Sequence, residues 1–210
     1  EPPKSLGEGL KKIDSKRDYI FSENNTTVEW DAFTFYEDCF LNMKFFENEV
    51  QLFKDVIPLD KSITIQFDLS NSKINKEKAF IGLQTGNSIS HFFTWKKNNI
   101  LSIKTKKLGT YKVFEDTVVP TISPVNFTEN NFLTELDVLK FKVDDDLSGI
   151  KEIKGFINGK WALFEYEYKN KEITHYLKDK IAQKGLNKVT INVTDNVGNN
   201  AIFETNFQLN

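Results

Sequence analysis

The sequence predicts an all-β protein that folds as two consecutive β-sandwich domains. Many short segments alternate hydrophobic with polar residues, which is the pattern of a strand with one buried face. Turn-forming residues separate these segments about every eight to twelve positions, a spacing typical of small sandwiches. Hydrophobic residues make up 39% of the 210-residue chain, enough for two cores. We predict a lead-in over 1–15, a first sandwich over 16–115 and a second over 116–210.

The first sandwich is predicted from a series of short strands. Alternation is nearly strict over 62–69 (SITIQFDL), so one side of that strand should be apolar and the other polar. The polar segment 70–78 predicts a loop with at most one helical turn. The strands predicted for this sandwich are 18–22, 26–30, 40–46, 49–53, 62–69, 79–83, 91–95, 100–105 and 109–113.

The second sandwich begins at 116–120 (DTVVP), because proline removes a backbone donor and suits an entry or edge strand. Asn158-Gly159 is the strongest short hairpin signal in the chain. The predicted strands are 122–127, 138–143, 153–157, 161–168, 173–176, 188–193 and 201–209. Seven short strands in under a hundred residues are typical of an immunoglobulin-like or fibronectin-III-like sandwich, here without the disulfide of antibody domains.

Composition excludes several classes of protein. The formal net charge of −2 leaves no basic region of the kind that nucleic-acid binders carry. No apolar run approaches the ~18 residues of a membrane span, and no signal peptide is visible. The single cysteine, Cys39, excludes an intrachain disulfide, and we predict that it is a small buried apolar residue. Since the chain starts at Glu1 without a methionine, we expect a fragment or a processed product.

The two histidines give little support to catalysis. His175 and Asp179 have the His-x-x-x-Asp spacing of some zinc peptidases. A catalytic zinc takes three protein ligands, however, and no second histidine or His-x-His pair lies nearby. We therefore predict no catalytic residue, with His91 structural and His175 an ordinary histidine on a sheet surface. A self-sufficient zinc hydrolase using His175 and Asp179 is the alternative.

Two aspartate-containing turns are candidates for a calcium site. Asp144, Asp145 and Asp146 open the turn 144–150, and Asp195 lies in a matching turn later in the chain. If the turns meet at one end of the sandwich, their carboxylates would offer the hard oxygen ligands that calcium prefers. Aspartates in such turns also accept hydrogen bonds from the N–H groups that follow them. Turn capping is the simpler interpretation, and calcium binding is the alternative.

Tryptophan side chains are the candidate ligand contacts. Trp161, Phe164, Tyr166 and Tyr168 crowd one predicted strand, and Trp95 lies in the first sandwich. Aromatic rings exposed on a sheet face would suit a sugar ligand, so Trp161 and Trp95 are predicted contacts. Phe164, Tyr166 and Tyr168 share one side of the predicted strand, and packing of one side into the core is the simpler interpretation of these aromatic residues.

Several segments resemble a known family. The motifs DTVVPTI, DDDLSGI, INGKW, EYEY and VTDNVGN, at 116–122, 144–150, 157–161, 165–168 and 193–199, resemble the immunoglobulin-like C-terminal domain of peptidase M23-family (lysostaphin-type) envelope proteins of the Bacteroidetes. Segments 28–38, 57–61 and 108–111 are similar to the β-rich region that precedes that domain. The resemblance spans roughly residues 17–210.

The resemblance implies a non-catalytic accessory region of an exported peptidoglycan endopeptidase, located in the periplasm or at the cell surface. The family's zinc ligands belong to a catalytic domain that would precede Glu1, so zinc is expected only there. Expected partners are that catalytic domain and peptidoglycan or another envelope glycan. Thr117 resembles the Asp-Ser/Thr-aliphatic site that Bacteroidetes glycosylate. The alternatives are a carbohydrate- or peptidoglycan-binding module using Trp161 or Trp95, and an adhesion or spacer region of an unrelated surface protein.

Overall fold

The computed structural model describes residues 9–53, 56–128, 132–133 and 138–209. Apart from a single-turn 3-10 helix at Leu177–Asp179, the regular elements in these ranges are β-strands, which confirms the predicted all-β class. The chain divides into two compact units, Glu1–Asp116 and Thr117–Asn210. Among the described residues there is no helix both long and apolar enough to cross a membrane.

The first unit consists of two antiparallel sheets. One has six strands in the order β1-β4-β5-β11-β7-β8, and the other has five in the order β2-β3-β6-β10-β9. The strands are β1 (Leu10–Ile13), β2 (Tyr19–Glu23), β3 (Thr26–Trp30), β4 (Cys39–Phe46), β5 (Glu49–Phe53), β6 (Ile63–Asp68), β7 (Ala79–Thr85), β8 (Ser88–His91), β9 (Trp95–Lys97), β10 (Ile100–Thr105) and β11 (Gly109–Glu115).

Alternation along the strands builds the core of this unit. In β6, Ile63, Ile65 and Phe67 are fully buried, whereas the intervening Thr64 and Gln66 remain partly accessible. The neighbouring strands β3 and β10 follow the same rule, so the five-stranded sheet has one apolar and one polar side. The apolar side packs in one cluster with residues of the six-stranded sheet, such as Leu52 and Tyr111.

Two details of the first unit differ from the sequence-based prediction. Residues 10–13 form strand β1, paired with β4, inside the predicted lead-in. Four residues are too few to show a period, but Ile13 is fully buried and stabilises the pairing. The predicted strand 91–95 is instead a crossing between the sheets. There the Thr94 hydroxyl accepts a hydrogen bond from Ile81 N–H (2.9 Å) and donates one to Phe92 O (2.9 Å).

The second unit is an immunoglobulin-like sandwich, as predicted. Its sheets have the orders β12-β14-β18-β17 and β13-β20-β19-β15-β16, which correspond to the A-B-E-D and G-F-C arrangement of that fold. The short β13 pairs with β20 in parallel. The strands are β12 (Thr121–Pro124), β13 (Phe132–Leu133), β14 (Val138–Asp144), β15 (Ile150–Ile157), β16 (Lys160–Ala162), β17 (Glu165–Glu167), β18 (Glu172–Tyr176), β19 (Gly185–Asp195) and β20 (Asn200–Leu209).

The turn at Asn158-Gly159 joins β15 to β16, and both residues have positive φ angles, 51° and 76°, as the hairpin signal predicts. The predicted single strand 161–168 is wrong, because the chain changes sheets after Ala162. Strand β16 pairs with β15, whereas β17 pairs with β18 in the other sheet. The two-residue alternation that starts at Trp161 therefore does not show which face of a sheet a residue after Ala162 occupies.

The sheet change depends on Phe164. Its ring is buried and lies directly over Gly155, where the Cβ of any other residue would overlap the ring. The ring also packs edge-on to Phe141, at 5.9 Å between centroids. Gly155 therefore leaves the space in which the crossing segment reaches the core.

Substitution of Phe141 with alanine should destabilise the second unit by about 3–5 kcal/mol. Phe141 is 0% exposed and its ring also contacts those of Phe127 and Phe203, so its removal leaves a cavity. Denaturant unfolding followed by tryptophan fluorescence measures the change. The control is Tyr168→Ala, at an exposed position, which should shift stability by less than about 0.5 kcal/mol. Equal effects of the two substitutions would contradict the packing described here.

Candidate functional site

His175 is not on the sheet surface, and that prediction is wrong. Strand β18 turns Ile173 and His175 inward, and His175 is only 1% exposed. Its Nδ1 lies 2.9 Å from Leu163 O, and its Nε2 lies 3.5 Å from Asp179 Oδ1. Within the described ranges, His175 and Asp179 belong to no cluster of three potential metal ligands. The imidazole holds the chain at the sheet crossing by its hydrogen bond to Leu163 and its ring contact with Phe164.

His91 and Cys39 occupy structural positions in the first unit. The His91 ring lies 5.0 Å from the Phe80 ring. Cys39 is half-buried and packs against the core. Burial, together with the nearby Asp38 and Glu37 carboxylates, raises the pKa of the Cys39 thiol. The thiol is therefore protonated at neutral pH and is a poor nucleophile.

The candidate calcium ligands are partly brought together. Asp145 and Asp195 place carboxylate oxygens within 4.8 Å of each other. Asp145 Oδ2 accepts a hydrogen bond from Gly149 N–H at 2.6 Å. Asp195, fully buried, accepts hydrogen bonds from Val197 N–H and Asn199 N–H through Oδ1 and from Asn199 Nδ2 through Oδ2. Both carboxylates thus cap their own turns.

The other two candidates point elsewhere. Asp144 Oδ1 forms an ion pair with Lys171 Nζ at 2.6 Å, and this hydrogen bond raises the pKa of Lys171. Asp146 is exposed. The four aspartates predicted from the sequence therefore separate into two turn caps, one ion-pair partner and one solvated residue.

Substitution of Asp195 with alanine should destabilise the second unit by about 2–3 kcal/mol, since three hydrogen bonds to a buried carboxylate are lost. Asp146→Ala is the control and should have little effect. Thermal unfolding with and without Ca²⁺ tests the remaining role. Turn capping alone predicts the same midpoint in both conditions, whereas a rise with Ca²⁺ that Asp195→Ala abolishes would establish a calcium site.

Trp161 is 62% exposed. The polar side chains on the sheet surface beside it, however, are bonded to one another. Trp161 pairs in register with Phe156 on the next strand. The same row continues across the sheet through Thr190 to Glu204. Thr190 Oγ1 donates to Glu204 Oε1 at 3.1 Å, and Glu204 also pairs with Lys188 at 2.8 Å. The polar groups of this surface therefore satisfy one another.

These contacts predict a pH effect. In the folded state the pKa of Glu204 lies below its ordinary value of 4.5. The main cause is the hydrogen bond from Lys188, and the hydrogen bond from Thr190 adds to it. A lowered folded pKa contributes stability above the ordinary value, and this stability is lost as the pH falls through the folded pKa. The difference in unfolding midpoint between wild type and Glu204→Gln should thus be larger at neutral pH than in strong acid. A difference that stays the same at both pH values would contradict this role of the Glu204 contacts.

Trp95 borders a different kind of surface on the first unit. It is 50% exposed, packs edge-on to Phe93 at 5.2 Å between centroids, and begins the edge strand β9. Register partners place one polar row across all five strands of its sheet, in the order Ser22, Thr27, Gln66, Ser102 and Trp95. With strands ~4.8 Å apart, the row is ~19 Å long.

A second row lies beside the first, in the order Ile20, Glu29, Thr64 and Lys104. We call the two rows together the outer face. Shallow depressions follow it along the strands. One depression, of about 510 Å³, is lined by residues of both rows, including Trp95. A second depression, of about 570 Å³, shares Glu29, Thr64 and Lys104 with it. A third continues from Gln66 toward the turns at the opposite end. Each depression shares lining residues with the next, and we refer to the three together as the groove.

Comparison with known proteins identifies the first unit. The family model of the Zu5-like domain matches residues 11–116, just over half of the chain. The chain belongs to the Zu5-like domain family. The matched residues contain the whole outer face, so we refer to the first unit as the Zu5-like unit. The resemblance of the chain to M23-family envelope proteins stays a prediction.

Solved structures similar to the chain include the fibronectin(III)-like modules of Clostridium thermocellum CbhA. The sequence identity is 13%, and the alignment covers 71% of this chain and 85% of that chain with a TM-score of 0.36. At that score, the likeness carries no argument about a site. No curated protein matches the sequence.

The outer face of the Zu5-like unit has free hydrogen-bonding capacity. Ser22 and Thr27 share a hydrogen bond at 2.9 Å between their hydroxyls. By contrast, the side chains of Glu29, Gln66 and Lys104 make no hydrogen bond or ion pair to other described residues. The amide of Gln66 and the charged groups of Glu29 and Lys104 therefore have donors and acceptors available to a ligand.

Trp95 is predicted from the sequence as a ligand contact, but the other residues of the outer face are not. The available signal lies in the outward positions of the alternating strands, where threonine, serine and glutamine outnumber the charged residues common on solvated sheets. Alternation shows that Gln66 and Ser102 point outward. It does not show that they are neighbours, because that depends on the pairing of β6 with β10.

Proposed function

We propose that the chain is a non-catalytic binding region whose Zu5-like unit binds a glycan along the outer face. The observation that carries the proposal is the row that runs from Ser22 through Gln66 to Trp95 beside an open groove. Hydroxyl and amide side chains match the hydroxyls of a sugar in size and polarity. The indole of Trp95 offers a flat apolar surface on which a sugar ring can stack.

The charges of the groove favour a glycan without a high density of charge. Glu29 and Lys104 are both register partners of Thr64, so a negative and a positive group face the groove from the two strands that flank β6. Asp18, Asp31 and Lys61 add charges of both signs at one end. Such a mixture attracts neither a polyanion nor a polycation over the length of the groove.

The resemblance of residues 17–210 to M23-family envelope proteins supports peptidoglycan as the glycan. On that basis the chain would be an exported accessory region that holds a zinc endopeptidase, carried elsewhere, against its substrate in the periplasm or at the cell surface. The immunoglobulin-like unit would serve as a support, since its polar sheet surface is closed by its own hydrogen bonds. Thr117 is exposed, as the glycosylation suggested by the resemblance requires.

A pull-down with purified peptidoglycan sacculi tests the proposal. Wild type should bind, and Trp95→Ala should bind about tenfold more weakly, because loss of an aromatic anchor costs roughly 1.4 kcal/mol or more. Gln66→Ala should weaken binding by a smaller factor, about threefold. The matched control is Trp161→Ala, which removes an exposed indole from the other unit and should bind like wild type.

The outcomes separate the proposal from its alternatives. Binding that depends on Trp95, without release of muropeptides, supports a binding region. Binding lost in Trp161→Ala but kept in Trp95→Ala would move the site to the immunoglobulin-like unit. Lack of binding to sacculi and to soluble neutral polysaccharides would favour an adhesion or spacer role and overturn the proposal. Zinc-dependent release would overturn the non-catalytic assignment.

A further inference from the structure

Phe33 has a backbone conformation that is unfavourable for its side chain. Its φ angle is +63°, in the left-handed region. The other non-glycine residues with positive φ in the described ranges are asparagines and lysines. Asparagine tolerates this region, whereas a bulky aromatic residue there is an outlier that calls for an explanation.

Hydrogen bonds around the loop hold Phe33 in this conformation. Ala32 N–H donates to Asp18 Oδ1 at 2.6 Å, and Phe33 N–H donates to Ser15 O at 2.6 Å. Lys61 Nζ donates to Ala32 O at 2.7 Å. All three bonds use backbone groups at positions 32 and 33, so glycine at position 33 would keep them and remove the strain. The loop itself does not require the phenyl ring.

Packing does not explain the ring either. Phe33 is 58% exposed, and it belongs to neither the core of the Zu5-like unit nor the residues packed against that core. A strained conformation that displays an apolar ring to solvent points to a contact outside the protein.

The ring contacts Lys61, a residue that lines one end of the groove. Asp31 and Lys61 line the depression at that end, together with Glu29 and Thr64 of the outer face. Lys61 Nζ lies 5.8 Å from the centre of the Phe33 ring. An aromatic surface and an ammonium group that can donate to hydroxyls therefore adjoin each other.

We propose that Phe33 and Lys61 form a second sugar subsite that extends the glycan site of the outer face. The inference rests on the proposed function, because it assigns the same ligand to the ring. Trp95 lies on the edge strand β9, whereas Phe33 lies in the loop after β3, so the two rings border different margins of the groove. A short glycan engages one margin, and a longer strand contacts both.

The charged surroundings favour a glycan over an apolar protein partner. Lys61 Nζ lies over the ring, and Asp31 is two residues before Phe33 in the chain. Asp60, next to Lys61 in the chain, accepts a hydrogen bond from the Tyr36 hydroxyl at 3.3 Å. An apolar protein surface would have to desolvate these charges. A sugar ring can cover the phenyl group while its hydroxyls remain hydrogen-bonded to the charged groups or to water.

Phe33→Gly in the full chain tests the subsite through two independent measurements. Thermal unfolding of the Zu5-like unit should shift upward by about 4 °C, because the left-handed strain is removed. Affinity for long peptidoglycan strands should fall about fivefold, while affinity for a disaccharide fragment changes less than twofold. Phe46→Ala, which removes an exposed ring from the other sheet of the same unit, should leave both affinities unchanged.

The design distinguishes failure of the subsite from failure of the proposed function. If Phe33→Gly binds long strands as wild type does, while Trp95→Ala weakens binding of both lengths, the subsite is overturned and the glycan site of the outer face stands. A lower unfolding midpoint for Phe33→Gly would show that the ring is needed for folding and would overturn the subsite too. Lack of glycan binding by wild type overturns both proposals.

Discussion

The two-residue period of the β-strand is the constraint on which both the core and the outer face depend. In β6, burial of Ile65 and Phe67 fixes which side of the sheet carries Thr64 and Gln66. A slip of one residue against β3 or β10 would expose the apolar residues and bury the polar ones, so the hydrophobic effect locks the register. The proposed binding surface is therefore held in place by residues that never contact a ligand.

The two units use their polar side chains in different ways. On the immunoglobulin-like unit, the polar surface beside Trp161 is cross-linked by the contacts of Thr190, Glu204 and Lys188, and its turns are capped by Asp145 and Asp195. On the Zu5-like unit, polar groups of the outer face keep unused donors and acceptors. Exposure of an aromatic residue alone does not separate the two surfaces, since Trp161 and Trp95 are both well exposed. The two surfaces differ in whether the polar groups next to the tryptophan are already hydrogen-bonded to other side chains.

Residues that move the chain from one sheet to the other explain several unusual positions. Thr94 satisfies backbone groups where the first unit changes sheets. In the second unit His175 hydrogen-bonds Leu163 O, and its ring packs on Phe164. A buried histidine is thus accounted for by backbone hydrogen bonding in a segment that pairs with no strand. No comparable contact explains why a phenyl ring stands at position 33. Its left-handed backbone weakens the fold where glycine would not, which is the usual relation between stability and a site shaped for binding.

The sequence by itself determined the all-β class, the immunoglobulin-like character of the second unit, the Asn158-Gly159 hairpin and the inward residues of long strands such as β6. Each of these follows from local patterns of period or turn chemistry. Only the tertiary structure decided which outward residues are neighbours, where strands change sheets, that His175 is buried and that Phe33 is strained. Those features depend on hydrogen bonds and packing between residues far apart in the chain, and a local pattern carries no information about its distant partner.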